Sequence, residues 1–121
     1  MSSTGSGSDA RKTIRVAVVW RGGVILGPGN YLLTKVIDIS EGGLAFLCQQ
    51  NFPVNTTLTL GIEIPAPDSS GKRHQCVCSA RVTHTILSHG DYKVGVNFVD
   101  IQDEYRTLIK TWVNKQLSPG I

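Results

Sequence analysis

Apolar side chains recur at every second position along most of this chain, and that period is typical of β-strands with one buried face. In one stretch Leu58, Leu60, Ile62 and Ile64 all fall on the same face. The strand candidates, including shorter apolar runs, are residues 14–21, 24–26, 31–38, 43–47, 56–64, 75–86 and 92–99. The pattern therefore predicts five to seven strands.

Two turn signals join neighbouring strand candidates into hairpins. Residues 27–30 read Gly-Pro-Gly-Asn and residues 88–91 read Ser-His-Gly-Asp, and both are compositions that reverse the chain tightly. Gly22 and Gly23 interrupt the first strand candidate, so we expect a bulge or bend there. Consecutive hairpins predict an antiparallel sheet.

The period changes to that of an amphipathic helix after residue 100. Its apolar stripe contains Ile101, Tyr105, Leu108, Ile109, Trp112, Val113 and Gln116. Asp100 or Asp103 is placed to cap the beginning of this helix. Several short strands followed by one helix predict a small antiparallel barrel, mainly β, with the helix packed against it.

Composition narrows the classes of ligand. A chain of 121 residues is the size of one domain. Its net charge of +3 is too small for a general binder of nucleic acid polymers, but it suits a small ligand with two negative charges. The three cysteines are expected to be reduced thiols in a cytoplasmic protein.

The two ends of the chain differ in composition from the rest. Residues 1–10 are rich in Ser and Gly, which predicts a flexible tail, and residues 118–121 form a short C-terminal tail. The intervening residues 11–117 form the expected domain. Because no apolar run approaches the roughly 20 residues that span a bilayer, we expect neither membrane insertion nor a signal peptide.

Two sequence features contain the side chains that recognise a guanine nucleotide. Arg11 and Arg15 precede the first strand, and a guanidinium donates two parallel hydrogen bonds to the O6 and N7 edge of guanine or binds a phosphate. Residues 38–43 read Asp-Ile-Ser-Glu-Gly-Gly. A carboxylate such as that of Asp38 can accept from guanine N1–H and N2–H₂, and a hydroxyl or exposed glycine amides can bind phosphate oxygens.

Taken separately, two arginines four residues apart are usually a solvated pair, and Asp, Ser and Gly occur in any β-turn. In this order the two features resemble the PilZ family of bacterial receptors for cyclic di-GMP. Residues 11–15 match its R-x-x-x-R motif, residues 38–43 match its (D/N)-x-S-x-x-G motif, and residues 94–100 resemble its final strand. The resemblance implies a six-stranded antiparallel β-barrel of the split-barrel type with a C-terminal α-helix, and it implies nucleotide binding on the barrel exterior.

The resemblance also implies roles for individual residues. Arg11 and Arg15 hold guanine edges and phosphate, Asp38 accepts from guanine, and Ser40 bonds phosphate or a second guanine. Gly42 and Gly43 are expected to let backbone approach the ligand. Weaker candidates for the same surface are Lys12, Trp20 and Arg81. On this basis we expect a cyclic di-GMP receptor that changes its N-terminal arm and its surface on binding and signals to a downstream protein. Family outputs include motility, biofilm formation, exopolysaccharide production and virulence.

Other functions have weaker support from the residues. A PilZ-like adaptor, which contacts a partner protein with weak or no nucleotide binding, is the first alternative. The nine acidic residues are scattered and no nucleophile signature is present, so we expect no enzyme. The C-x-C spacing of Cys76 and Cys78 lacks a second pair, which favours buried thiols over a metal site, with Ala80 and Val82 on the same strand face. A single-strand nucleic-acid barrel would need exposed aromatic residues and a basic stripe.

Overall fold

A computed structural model describes residues 14–117. Within them six β-strands are followed by one α-helix. The strands are β1 (Val16–Gly27), β2 (Asn30–Ile39), β3 (Gly43–Cys48), β4 (Thr57–Pro65), β5 (Arg73–Ser88) and β6 (Asp91–Asp100), and the helix is α1 (Asp103–Leu117). The mainly β architecture with a C-terminal helix confirms the predicted fold class. The Ser-Gly tail and the residues after Leu117 lie outside the described residues.

The six strands form one closed barrel in which all neighbours are antiparallel, in the order β1-β2-β3-β6-β5-β4. Alternate side chains of each strand point inward. Those of β5, for example, are Cys76, Cys78, Ala80 and Val82, all buried as predicted. Each fully buried aliphatic or aromatic side chain contributes about 1.5–3 kcal/mol of transfer free energy to the core. Most of the alternate positions on β1, β2, β4 and β5 remain at the surface, where they can contact other molecules.

The barrel is narrowly closed between β1 and β4, and α1 covers the place where these two strands diverge. Only residues 22–25 of β1 pair with β4. Beyond that contact the Trp20 ring meets the Trp112 ring of α1 edge to face, with centroids 5.9 Å apart. The Trp112 indole Nε1–H donates to the carbonyl of Pro65 at 2.7 Å. The helix thus packs on the barrel through this aromatic pair, the hydrogen bond to Pro65 and the buried side chains of Ile109 and Val113.

Two local predictions can be checked against the strand register. Both hairpins are confirmed: Gly29 has φ of +67°, while His89 and Gly90 have φ of +52° and +88°. Of the bulge or bend expected at Gly22 and Gly23, the bulge is absent, because both residues pair regularly, opposite Thr34 and Leu33. Gly22 is instead needed for space, since a Cβ there would lie 2.9 Å from Thr34 Oγ1. The register shifts of β1 lie at residues 17–20 and 25–27.

No helix within residues 14–117 has the length and apolar character required to cross a membrane.

Candidate functional site

The first element of the site is an ion pair between the two segments that the sequence singled out. Arg15 stands just before β1, and Asp38 lies near the end of β2, where it is opposite Ala17. The Arg15 guanidinium Nη1 donates to Asp38 Oδ1 at 2.7 Å, and the two side chains retain 38% and 19% of their exposure. The antiparallel β1–β2 hairpin therefore places this arginine and this carboxylate at one point on the barrel exterior.

The turn between β2 and β3 is held by Ser40. Its backbone N–H donates to the Gly43 carbonyl at 2.8 Å, and its hydroxyl donates to the same carbonyl at 3.2 Å. The hydroxyl also accepts from the Gly43 N–H at 3.1 Å. Ser40 is only 3% exposed. Its burial favours a structural role in the turn over the direct phosphate contact predicted for it.

The glycines of this turn bring two strands unusually close together. A Cβ on Gly43 would lie 2.0 Å from the Val96 carbonyl oxygen of β6, a distance that no side chain tolerates. The neighbouring Gly42 carbonyl accepts from the Phe98 N–H at 2.9 Å. Glycine was expected here to let the backbone approach a ligand. In this structure it lets β3 approach β6.

Two further polar side chains lie beside the turn on the adjacent strands. Asn97 of β6 is opposite Gly43, and Arg81 of β5 is opposite Asn97; both are exposed. Strands lie about 4.8 Å apart, so Arg81 is about 10 Å from Gly43 along the hydrogen-bonding direction. We call the surface formed by Arg15, Asp38, the turn of residues 40–43, Arg81 and Asn97 the polar face.

Sequence reasoning had named Arg81 as a weaker candidate and had missed Asn97. The alternation within β6 marks Asn97 as outward, because Val96 on one side is buried. That signal alone does not show which strand lies next to it. The register of β3, β6 and β5 supplies the missing information.

The comparisons with known proteins agree with this geometry. The family model described as PilZ domain matches residues 9–115 of the chain. The chain belongs to the PilZ domain family. PilZ domains are receptor and adaptor domains associated with cyclic di-GMP and protein partners, and no catalytic family is indicated. No curated protein matches the chain.

Among solved structures, this PilZ domain is similar to the Bacillus subtilis inhibitor of motility, MotI (DgrA). The TM-score is 0.74 at 19% sequence identity, and the alignment covers 89% of this chain. It covers 52% of the MotI chain, so the chain spans about half the length of that protein. At this identity the likeness establishes the fold.

The other predicted site residues have different positions. Arg11 and Lys12 lie outside the described residues. Trp20 is buried and its ring packs against Trp112 of α1, a position that favours a role in the core over the ligand contact suggested for it.

The cysteines of this PilZ domain are core side chains. Cys48, Cys76 and Cys78 are free thiols and all are buried. Burial raises the pKa of Cys48, and contact with the Cys76 thiol, together with burial, raises the pKa of Cys78. Within residues 14–117 no three His, Cys, Asp or Glu side chains are grouped as a metal site.

Proposed function

We propose that this PilZ domain is a receptor for cyclic di-GMP and that binding at the polar face is transmitted to a downstream protein. The observation that carries the proposal is the 2.7 Å contact between Arg15 and Asp38 beside the 40–43 turn. It brings one residue from each family motif to the same part of the barrel exterior. The two motifs are then parts of a single surface.

The ion pair is suited to be exchanged for a ligand. Both side chains are partly exposed, and such pairs contribute only about 0.2–1 kcal/mol. A guanidinium has five N–H donors and a carboxylate has about four acceptor positions. Arg15 can therefore donate to phosphate or to the guanine O6 and N7 edge, while Asp38 accepts from guanine N1–H and N2–H₂.

The remaining motif residues support the site in two ways. Ser40, Gly42 and Gly43 fix the path of the turn and thereby the position of Asp38 relative to β6. Arg11 belongs to the proposed site through the R-x-x-x-R match. In the proposal it supplies a second cation, so that two arginines face two phosphates.

Calorimetric titration with cyclic di-GMP tests the proposal. Arg15→Ala removes at least one charge-assisted bond worth about 1.5–3 kcal/mol, so we expect binding to weaken about 10- to 150-fold. The matched control is Arg106→Ala, which removes an equally exposed arginine from α1 and should leave affinity unchanged. Titration with cyclic di-AMP tests recognition of the guanine base, because adenine lacks the N1–H and N2–H₂ donors proposed for Asp38 and the O6 acceptor proposed for Arg15.

Equal affinity of wild type and Arg15→Ala, with both folded, would exclude the polar face as the binding site. Hydrogen exchange adds an independent measurement. In the proposal residues 8–15 become ordered around the ligand, so their amides should exchange more slowly when cyclic di-GMP is present. Unchanged exchange across this segment would contradict the proposed movement of the N-terminal arm.

One observation favours the alternative of a protein adaptor with weak or no nucleotide binding. Asp38 and Ser40 already have hydrogen-bond partners within the chain, so neither needs a ligand to be satisfied. The adaptor predicts no saturable heat with cyclic di-GMP for the wild-type chain. The same titration therefore decides between the two functions.

A further inference from the structure

A second surface lies where β2, β1, β4 and β5 run side by side. One cross-strand row contains Leu33, Gly23, Gly61 and Val77 in that order. Leu33 is 75% exposed and Val77 is 57% exposed, and they flank the two glycines. Exposed Tyr31 and Ile25 lie in the next row. We call this surface the apolar patch: Gly23, Ile25, Tyr31, Leu33, Gly61 and Val77.

The glycines form the floor of a concave site. A Cβ on Gly61 would meet only Ile25 Cδ1, at 3.9 Å, and a Cβ on Gly23 would contact the Tyr31 ring at 3.5 Å. A cavity of about 260 Å³ opens over these residues and is bounded at one end by Arg21, Glu63 and Gln75. Its size and the apolar surface of its glycine floor, Ile25 and Tyr31 suit a single large side chain inserted from outside, as in the central anchor of many protein interfaces.

One edge of the apolar patch is basic, because Arg21 and Lys35 are cross-strand neighbours two residues along their strands from Gly23 and Leu33. Arg73 donates to Glu63 at 2.8 Å, and Gln75 donates to the other oxygen of that carboxylate at 3.1 Å. Arg21 and Lys35 are both exposed, and neither forms an ion pair with a carboxylate from residues 14–117. Three cations and one carboxylate repel a second copy of the same surface and attract acidic residues.

This patch is separate from the polar face. On β2 Leu33 and Asp38 are five residues apart, which corresponds to about 16 Å, and on β5 Val77 and Arg81 are about 13 Å apart. Binding at the apolar patch therefore does not depend on whether the polar face binds cyclic di-GMP.

We propose that the apolar patch is a docking site for a segment of another protein in which one large apolar side chain is flanked by acidic residues. The apolar side chain occupies the cavity over Gly23 and Gly61. The flanking carboxylates pair with Arg21 and Lys35. Burial of Leu33 and Val77 against the segment removes apolar surface from water, which drives the association.

Short peptides and amide chemical shifts of the full chain, recorded without nucleotide, test this proposal. The probe peptide carries one phenylalanine between two pairs of glutamates. One control peptide replaces phenylalanine with alanine, and the other replaces the glutamates with lysines. We expect saturable shifts at Gly23, Gly61 and Val77 only with the probe, with a dissociation constant of about 0.1–1 mM. Shifts confined to another surface, no shifts, or equal shifts with the lysine peptide would overturn the proposal.

Variants separate the cavity from the charged rim. Gly61→Leu fills the cavity from its floor and should abolish the shifts. The control is Leu87→Ser, which alters an exposed apolar residue of β5 outside the patch and should leave the shifts unchanged. The double variant Arg21→Glu, Lys35→Glu should weaken binding of the probe peptide by about tenfold. The control variant Lys110→Glu, on α1, should bind the peptide as the wild type does. A folded Gly61→Leu chain that binds normally overturns the proposal. Concentration-dependent dimers that involve the patch would show that its occupant is a second copy, which also overturns it.

Discussion

The polar face and the apolar patch both depend on glycine, but for opposite reasons. At the polar face a Cβ on Gly43 would lie 2.0 Å from a backbone oxygen of β6, so glycine there allows two strands to approach each other. At the apolar patch a Cβ on Gly61 would reach only the end of the Ile25 side chain at 3.9 Å. Glycine there leaves an opening on the outside. The atoms that a Cβ would meet therefore distinguish the two kinds of glycine. Gly43 is required for two strands to pair closely, whereas Gly61 leaves a cavity on the barrel exterior.

Strand β1 links the two surfaces, and Trp20 anchors it between them. Trp20→Ala should lower the free energy of unfolding by about 3–5 kcal/mol, because it empties a core site and removes the contact with Trp112. Urea unfolding followed by far-ultraviolet circular dichroism measures this loss. Trp20→Phe should lose less, and the folded fraction of either variant should keep its affinity for ligands at the polar face. A nearly neutral Trp20→Ala would mean that the contact between Trp20 and Trp112 contributes little to stability.

Alanine at the two contrasting glycines gives the next largest difference. Gly43→Ala forces β3 away from β6 and should cost about 1–3 kcal/mol of unfolding free energy. Gly61→Ala should be within about 0.5 kcal/mol of wild type, because its Cβ has room. Thermal unfolding of the two variants side by side measures both. Equal losses at the two positions would remove the distinction between them.

Arg81 defines how far the polar face extends. If a bound anion lies over Asn97 and Gly43, Arg81→Ala should weaken binding of cyclic di-GMP about three- to tenfold, less than Arg15→Ala, because Arg81 approaches from two strands away. Calorimetry measures the affinity of Arg15→Ala, of Arg81→Ala and of the variant that carries both substitutions. Additive effects indicate separate contacts, and an unaffected Arg81→Ala chain confines the site to β1, β2 and the turn.

The smallest expected effect concerns the rim of the apolar patch. The hydrogen bond from Arg73 lowers the pKa of Glu63 below its usual value. A carboxyl whose pKa is lowered by folding stabilises the folded state above its unfolded pKa, and this contribution is lost as the pH falls through the folded value. The difference in melting temperature between wild type and Glu63→Gln should therefore be small at pH 7 and should disappear as the pH falls below 4.5 and the carboxyl becomes protonated in the folded state as well. High salt should also reduce it, since the pair is exposed.

The sequence was sufficient to predict the alternation within individual strands. Cys76, Cys78, Ala80 and Val82 were placed on one buried face, and all four are in the core. The two hairpins followed from glycine-containing turns with positive φ. These features are local, because they depend on residues that are close together along the chain.

Features that depend on strand register could not be predicted from the sequence in the same way. Asn97 joins the polar face only because β6 lies between β3 and β5, and nothing in the sequence near Asn97 indicates those neighbours. Gly22 and Gly23 were interpreted as a bend because glycine is compatible with several roles. Their actual surroundings, Thr34 for one and the Tyr31 ring for the other, come from the neighbouring strand β2.

The edge-to-face contact between Trp20 and Trp112 has a practical effect on spectroscopy. The chain contains two tryptophans, and both are engaged in this one contact. Tryptophan fluorescence therefore reports on whether the helix is packed against the barrel. A nucleotide or peptide that settles on the outer surface without moving the helix should leave that emission almost unaltered.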